Sequence, residues 1–148
     1  MRYSLANYKL SIVQNDTELA TMFPALAIGG STGSGSYLDS ISLSVNNNQW
    51  STVGYATGGW VHEKSLDRTG TASITLNQLA PAISQFKRMS NVHYNGEYEG
   101  FTMTLVDSFD NEVARCIDCY FTKIPDQSVQ EKSQNQTWSV TCGQIIFN

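Results

Sequence analysis

Thr69-Gly-Thr-Ala-Ser-Ile-Thr-Leu-Asn-Gln78 decides the fold class. Ala72, Ile74 and Leu76 alternate with Thr71, Ser73 and Thr75, a period of two that marks a strand with one buried and one wet face. The same alternation runs through Ile41, Leu43 and Val45 against Ser40, Ser42 and Ser44. It returns near the end of the chain, where Trp138, Val140, Cys142, Gln144 and Ile146 fall on one face. Residues 5–13, 99–107 and 112–123 read as further strands, and 50–64 as two short strands or one with a bulge. Asn46-Asn47-Asn48 and Asp110-Asn111 supply turn chemistry. One segment has helical spacing instead: Leu79, Ile83 and Phe86, with Ala82 and Met89 alongside. It opens at Pro81, whose missing N–H costs nothing in a first turn, and carries Lys87 and Arg88 near a stop at Asn91. These signals describe one β-rich domain over residues 1–148, a sandwich or barrel with a single helix of about ten residues on it.

The length of 148 residues supports one hydrophobic core without disulfide or metal. Charged residues are only 15% of the chain, against about 25% in an average soluble protein. Ser, Thr, Asn and Gln contribute 17, 13, 11 and 9 residues. A hydroxyl- and amide-rich surface suits a β-protein that lies against other protein. The formal net charge is −4 and the nine Lys and Arg are scattered, so the clustered basic footprint of a nucleic-acid reader is missing. Docking on an anionic membrane is disfavoured for the same reason. No run approaches the 18 or so apolar residues of a spanning helix, and the start of the chain does not read as a secretory signal.

Possible sites of chemistry are weak. Cys116-Ile-Asp-Cys119 matches a Cys-x-x-Cys pattern but lies in a strand-like run, where residues three apart are expected on opposite faces. With Cys142 they make an odd number of thiols, expected to be reduced and structural. Neither His62 nor His93 has a nucleophile at a recognisable spacing. The Gly29–Ser36 run has no Lys and no following helix, so it is not a phosphate loop; residues 24–37 are expected to be a mobile Gly/Ser-rich loop. Carboxylates at Asp107, Asp110 and Glu112 lack an ordered calcium loop. Trp50, Trp60, Tyr94 and Tyr98 fit a sugar-stacking platform or, more commonly, core and interface. No enzyme and no cofactor or metal is expected.

The order of these segments carries a resemblance. The strand Ile41–Val45 is followed by Trp50, then by Gly54-Tyr-Ala-Thr-Gly-Gly59, Asp67–Leu76 and the helix at Pro81. Gly100–Asp107, Ala114–Pro125 and Trp138–Cys142 complete it. Residues 38–147 resemble the tail tube (inner tube) proteins of contractile-tailed bacteriophages. The resemblance implies a mainly β fold, two packed antiparallel sheets forming a barrel-like sandwich with one flanking α-helix. It also implies a structural virion protein, made in the host bacterial cytoplasm, whose homohexameric rings stack into an inner tube within a contractile sheath. Implied partners are the chain itself, the tail sheath protein, the tape measure protein, and DNA passing without specific binding through a lumen that is acidic in many family members. Ring contacts are implied at the 24–37 loop, the N-terminal strand and the tail Ile145–Asn148, with Gly29, Gly30, Gly33, Gly35, Tyr37, Ile145 and Phe147 as the named residues. Ile145 and Phe147 enter because Ile146 continues the inward face of Trp138 and Val140. A tail terminator, a baseplate-proximal ring or a tail-like bacteriocin tube would give the same signals. The competing expectation is a carbohydrate-binding β-sandwich of a tail-associated adhesion protein.

Overall fold

The computed structural model describes residues 3–29 and 37–148. A 3-10 turn at Leu5–Asn7 leads into β1 (Lys9–Gln14), α1 (Thr17–Met22) and β2 (Leu26–Gly29). Then come β3 (Leu38–Val45), β4 (Trp50–Gly54), β5 (Trp60–Lys64), β6 (Gly70–Asn77) and α2 (Ala82–Asn95). The chain ends with β7 (Phe101–Val106), β8 (Glu112–Phe121) and β9 (Asn135–Phe147). Seven strands form one antiparallel sheet in the order β2-β1-β7-β8-β9-β6-β3, curled into a half-barrel. The fold class is the expected one, but the layers differ from a sandwich: the second sheet is only the β4–β5 hairpin, and all ten of its residues are exposed. The curled sheet instead closes its core with helices.

Alternation explains the sheet. On β6 every second residue is buried (Gly70, Ala72, Ile74, Leu76), and each faces a partner on β9. Leu10 and Ile12 of β1 and Phe101 and Met103 of β7 extend the apolar face. Helix α2 covers it with Ala82, Ile83, Phe86 and Met89, one stripe at helical spacing. Phe86 lies 5.1 Å from Phe121 and 5.5 Å from Trp138, ring centre to ring centre, and Phe121 lies 5.4 Å from Trp138. The helix runs to Asn95, one turn beyond the expected stop at Asn91, because Val92 still packs on the core.

The N-terminal region is more ordered than its composition suggests. Asp16 caps α1, its carboxylate accepting from Glu18 N at 3.0 Å and Leu19 N at 3.4 Å. That places Leu19 and Phe23 in the core. Residues 26–29, expected in a mobile loop, form the edge strand β2 in register with β1.

The Cys-Ile-Asp-Cys segment also departs from expectation. Asp118 has φ +57° and makes a β-bulge, with Phe101 opposite Cys119 but Met103 opposite Cys116. Asp is one of the few side chains that tolerates this left-handed conformation. Alternation therefore slips by one, and Cys116 and Cys119 face the same way, into the core. β9 slips at the matching place: Cys142 and Ile145 are buried while Gly143 and Gln144 are exposed. Ile145 is thus a core residue at 0% exposure, correcting the expectation that Ile146 carries the inward face. The three thiols hydrogen-bond to one another, and those bonds, followed by burial, push the Cys119 thiol well up from its ordinary range.

Gly70 makes room for this slip. A Cβ there would collide with Ile145 Cδ1 and lie 2.5 Å from the Ser44 carbonyl oxygen. Gly70→Ala should therefore lower stability by about 1–3 kcal/mol through overpacking. The check is urea unfolding, where the midpoint falls and the m-value stays constant.

His93 joins α2 to the sheet. Its Nε2 donates to Gln14 Oε1 at 3.2 Å, and its ring stands edge-on to Tyr120 at 5.3 Å. Burial lowers its pKa from the ordinary 6.5, partly offset by Asp16. The unfolded chain thus takes up this proton at a higher pH than the folded one. Its contribution should be constant above about pH 7.5, be lost as pH falls through 6.5, and level off below the folded pKa. Comparing the pH dependence of unfolding for the wild type and His93→Gln checks this, the variant showing the shallower loss below pH 6.5.

Candidate assembly surfaces

The β4–β5 hairpin is inserted between β3 and β6, whose ladder ends at the Val45–Gly70 pair. Its neck is held by backbone bonds and by Asn and Asp side chains. Asn46 N donates to Thr69 O at 3.0 Å, Ser65 N to Gln49 O at 2.8 Å, and Asn47 binds the Asp67 carboxylate. The Thr69 hydroxyl and then the Thr69 backbone N–H hydrogen-bond Asp67, holding its carboxyl below the usual carboxylate range. The strands pair from Trp50–Lys64 to Gly54–Trp60. One face carries Trp50, Trp60 and the Thr52–His62 hydrogen bond at 2.8 Å, with Lys64 Nζ 5.9 Å from the centre of the Trp50 ring. The other carries Val53 and Val61. Trp50 and Trp60 are 57% and 67% exposed, too much apolar surface for a two-stranded hairpin that meets only water.

A second surface is the outward face of β3, β6 and β9. In register, Ser40, Thr75 and Thr137 form one row across the strands; Ser42, Ser73 and Ser139 the next; Ser44, Thr71 and Thr141 the third. Thr75 and Thr137 share a hydrogen bond of 3.1 Å. Asn77 Nδ2 bonds Asn135 Oδ1 at 3.4 Å beyond the first row, and Thr71 Oγ1 bonds Asn46 Oδ1 at 3.4 Å beyond the third. These nine hydroxyls and three amides include no charged group.

The third surface is the pair of sheet edges, β2 and β3, each with one side lacking a strand among the described residues.

The sequence-predicted contact residues distribute unevenly over these surfaces. Gly29 ends the edge strand β2 at φ +88°, and a Cβ there would lie 2.8 Å from the Tyr8 carbonyl oxygen, so only glycine fits. Tyr37 stands half-exposed just before the other edge strand and accepts Asn77 N at 3.1 Å through its carbonyl. Gly30, Gly33 and Gly35 lie outside the described residues. The Ile145 side chain is enclosed by its own chain. Phe147 is 55% exposed and lines a groove of about 300 Å³ with Trp50, Lys64 and Arg68 at the hairpin neck. The structure therefore joins Phe147 to the hairpin, a surface the sequence reading did not connect. The sequence shows tryptophans beside Gly-rich turn chemistry, but their exposure follows from the separation of the hairpin from the main sheet.

The weaker candidates do not assemble. Trp50 and Trp60 sit on the hairpin, Tyr94 on α2, and Tyr98 packs against the core, so they form no single sugar platform. His62 bonds Thr52 and His93 bonds Gln14; neither approaches a serine or thiol nucleophile. Among the described residues no group of three or more His, Cys, Asp or Glu side chains is arranged to hold a metal ion. No helix there is long and apolar enough to cross a membrane.

Comparisons with known proteins agree with the architecture. No curated protein matches the chain in sequence. Among solved structures, the sheath/tube terminator of the PVC extracellular contractile injection system, in its extended state, matches with a TM-score of 0.65 and 10% identity. That match covers 100% of this chain and 97% of the other. The PVC sheath–tube complex gives a TM-score of 0.59 at 10% identity, over 100% and 92% of the two chains. The tube-terminating cap of the anti-feeding prophage gives 0.56 at 11% identity, over 100% and 93%. These likenesses establish the fold. The family profile described as "Bacteriophage PhiTE tail tube protein" matches residues 19–147, nearly the whole chain. The chain belongs to that family of phage tail tube proteins.

Proposed function

We propose that this chain is the repeating subunit of the inner tube of a contractile phage tail, assembling as homohexameric rings that stack within a sheath. The observation that carries the proposal is the wholly exposed hairpin on its fixed neck. Two exposed tryptophans on one face, with two valines on the other, form the core composition of a protein interface, not of a free surface. The two sheet edges are complementary ends of one ladder, and pairing β2 of one copy with β3 of the next removes both by closing a ring. Tyr37 and Gly29 stand at those edges, and Phe147 with the hairpin neck forms the seat for a neighbouring copy. The sheath protein meets the outside of such a tube, and the tape measure protein and DNA occupy its lumen. The chain is a structural element, not an enzyme.

On this proposal the hydroxyl rows line the lumen. Acidic lumens keep DNA moving by repulsion; these rows carry no carboxylate and no cation. A neutral wall that holds water offers phosphates no counter-charge, so it gives DNA no electrostatic hold.

Electron microscopy of the purified protein tests the assembly, with hollow six-fold rings or tubes expected. A strict monomer that binds glycan arrays would support the adhesion-module alternative instead. Trp50→Ser with Trp60→Ser should leave the monomer's melting temperature nearly unchanged, because neither ring lies in the core, while abolishing tubes. Thr141→Cys locates the lumen. The native thiols are buried, so maleimide-gold on assembled tubes should mark this position alone, with density near the tube axis. Tubes carrying gold on their outer rim would refute the lumen assignment and leave the assembly proposal standing.

A further inference from the structure

The three cysteines carry an inference independent of the tube proposal. Two backbone hydrogen bonds fix the β8–β9 ladder on either side of the bulge: Asn148 N to Val113 O at 2.9 Å, and Thr122 N to Ser139 O at 2.9 Å. In an antiparallel ladder, hydrogen-bonded and non-hydrogen-bonded pairs alternate. Counting from Thr122–Ser139, Phe121–Val140 is non-hydrogen-bonded, Tyr120–Thr141 hydrogen-bonded, and Cys119–Cys142 non-hydrogen-bonded. Pairs of that kind bring Cα atoms to about 4.5 Å with side chains at their closest, within the roughly 4.4–6.8 Å that a disulfide spans. Both thiols are buried in the core at facing positions of adjacent strands. Cys116 sits opposite Ile145, not opposite a thiol.

We propose that Cys119 and Cys142 are a disulfide modification site, a latch that ties the two central strands of the sheet when the protein meets a small peroxide. One thiol, as thiolate, attacks an oxygen of hydrogen peroxide, giving a sulfenic acid and water. The second thiol displaces the sulfenic hydroxyl as water, forming the S–S bond. Two thiols are oxidised by two electrons and one peroxide is reduced to two waters. Peroxide suits the site because both thiols are almost fully buried, and bulkier oxidants cannot reach them without opening the sheet. The same burial shields the finished bond from reductants. In a reducing compartment the pair remains as thiols. The bond would enclose residues 120–141, including the exposed segment 122–134.

The folded protein is treated with hydrogen peroxide, quenched, denatured, alkylated and mapped by mass spectrometry. The expected product is 2 Da lighter before alkylation, carries one alkylated cysteine at Cys116, and yields a Cys119–Cys142 cross-linked peptide. Trypsin cleavage at the exposed Lys132 should then give fragments that separate only after reduction. Cys116→Ser should keep the cross-link and Cys142→Ser should lose it. Three alkylated cysteines, a bond through Cys116, or sulfinic acid at Cys119 or Cys142 without a cross-link would each overturn the proposal.

Discussion

The contact between Phe86 and the Trp138–Phe121 pair governs the rest of the molecule. A curled sheet with one apolar face needs a cover, and here the cover is α2. Burying one Phe contributes about 1.5–3 kcal/mol, and each well-angled aromatic pair about 0.5–1.5 kcal/mol more. The three rings meet at tilts of 45–73° between their planes, so they interlock across helix, β8 and β9. Trp138 lies on β9, which also anchors β6 and through it β3. Phe121 lies on β8, which anchors β7 and through it β1 and β2. The two halves of the sheet are therefore fastened to one helix at one point. With the apolar face covered, the hairpin and the hydroxyl rows are left to face other things.

Most of this was legible where alternation is strict. Ala72, Ile74 and Leu76 announce their strand because every second residue must be buried, and Ile83, Phe86 and Met89 announce their helix for the same reason at another period. The sequence reading failed where backbone geometry overrode the period. Asp118 takes a left-handed conformation, and nothing in a binary pattern marks that. One residue's φ then moved Cys119 to the face of Cys116, and the matching slip on β9 buried Ile145 in place of Ile146. β2 was missed because an edge strand of four residues has too few positions to show a period, and because the Gly/Ser run beside it dominated the composition. The hairpin's strands were visible, but their isolation was not. Exposure of Trp50 and Trp60 depends on the neck at Asn46–Asp67 carrying them away from the core, a long-range property no local pattern encodes.

The distribution of polarity separates the surfaces by physical role. On the hairpin, aromatic rings sit on a paired but uncovered ribbon, which gains stability only when something buries it. On the outer face of β3, β6 and β9 the opposite holds. Thr75 and Thr137 hydrogen-bond each other, Thr71 bonds the Asn46 amide, and the rows carry neither a large apolar side chain nor a charge. The fold thus exposes one aromatic element and one hydroxyl-rich face, and the difference comes from which residues stand at the outward positions of each period-two pattern.

The low charge of the chain follows from the same division. Charged side chains at a buried interface lose hydration, and pairing seldom repays that loss in full. A surface that buries against other protein therefore gains little from Lys and Glu. Several of the charges sit at turns and loop ends. Asp67 knots the hairpin neck, Asp107 accepts from Phe109 N and Asn111 N in the β7–β8 turn, and Glu112 pairs with Arg115 at the strand that follows. Asp67 and Asp107 hold backbone in place locally, and the Glu112–Arg115 pair joins two side chains of one strand. Ser and Thr do on this outer face what charge does on an ordinary monomer, keeping it wet without adding charge.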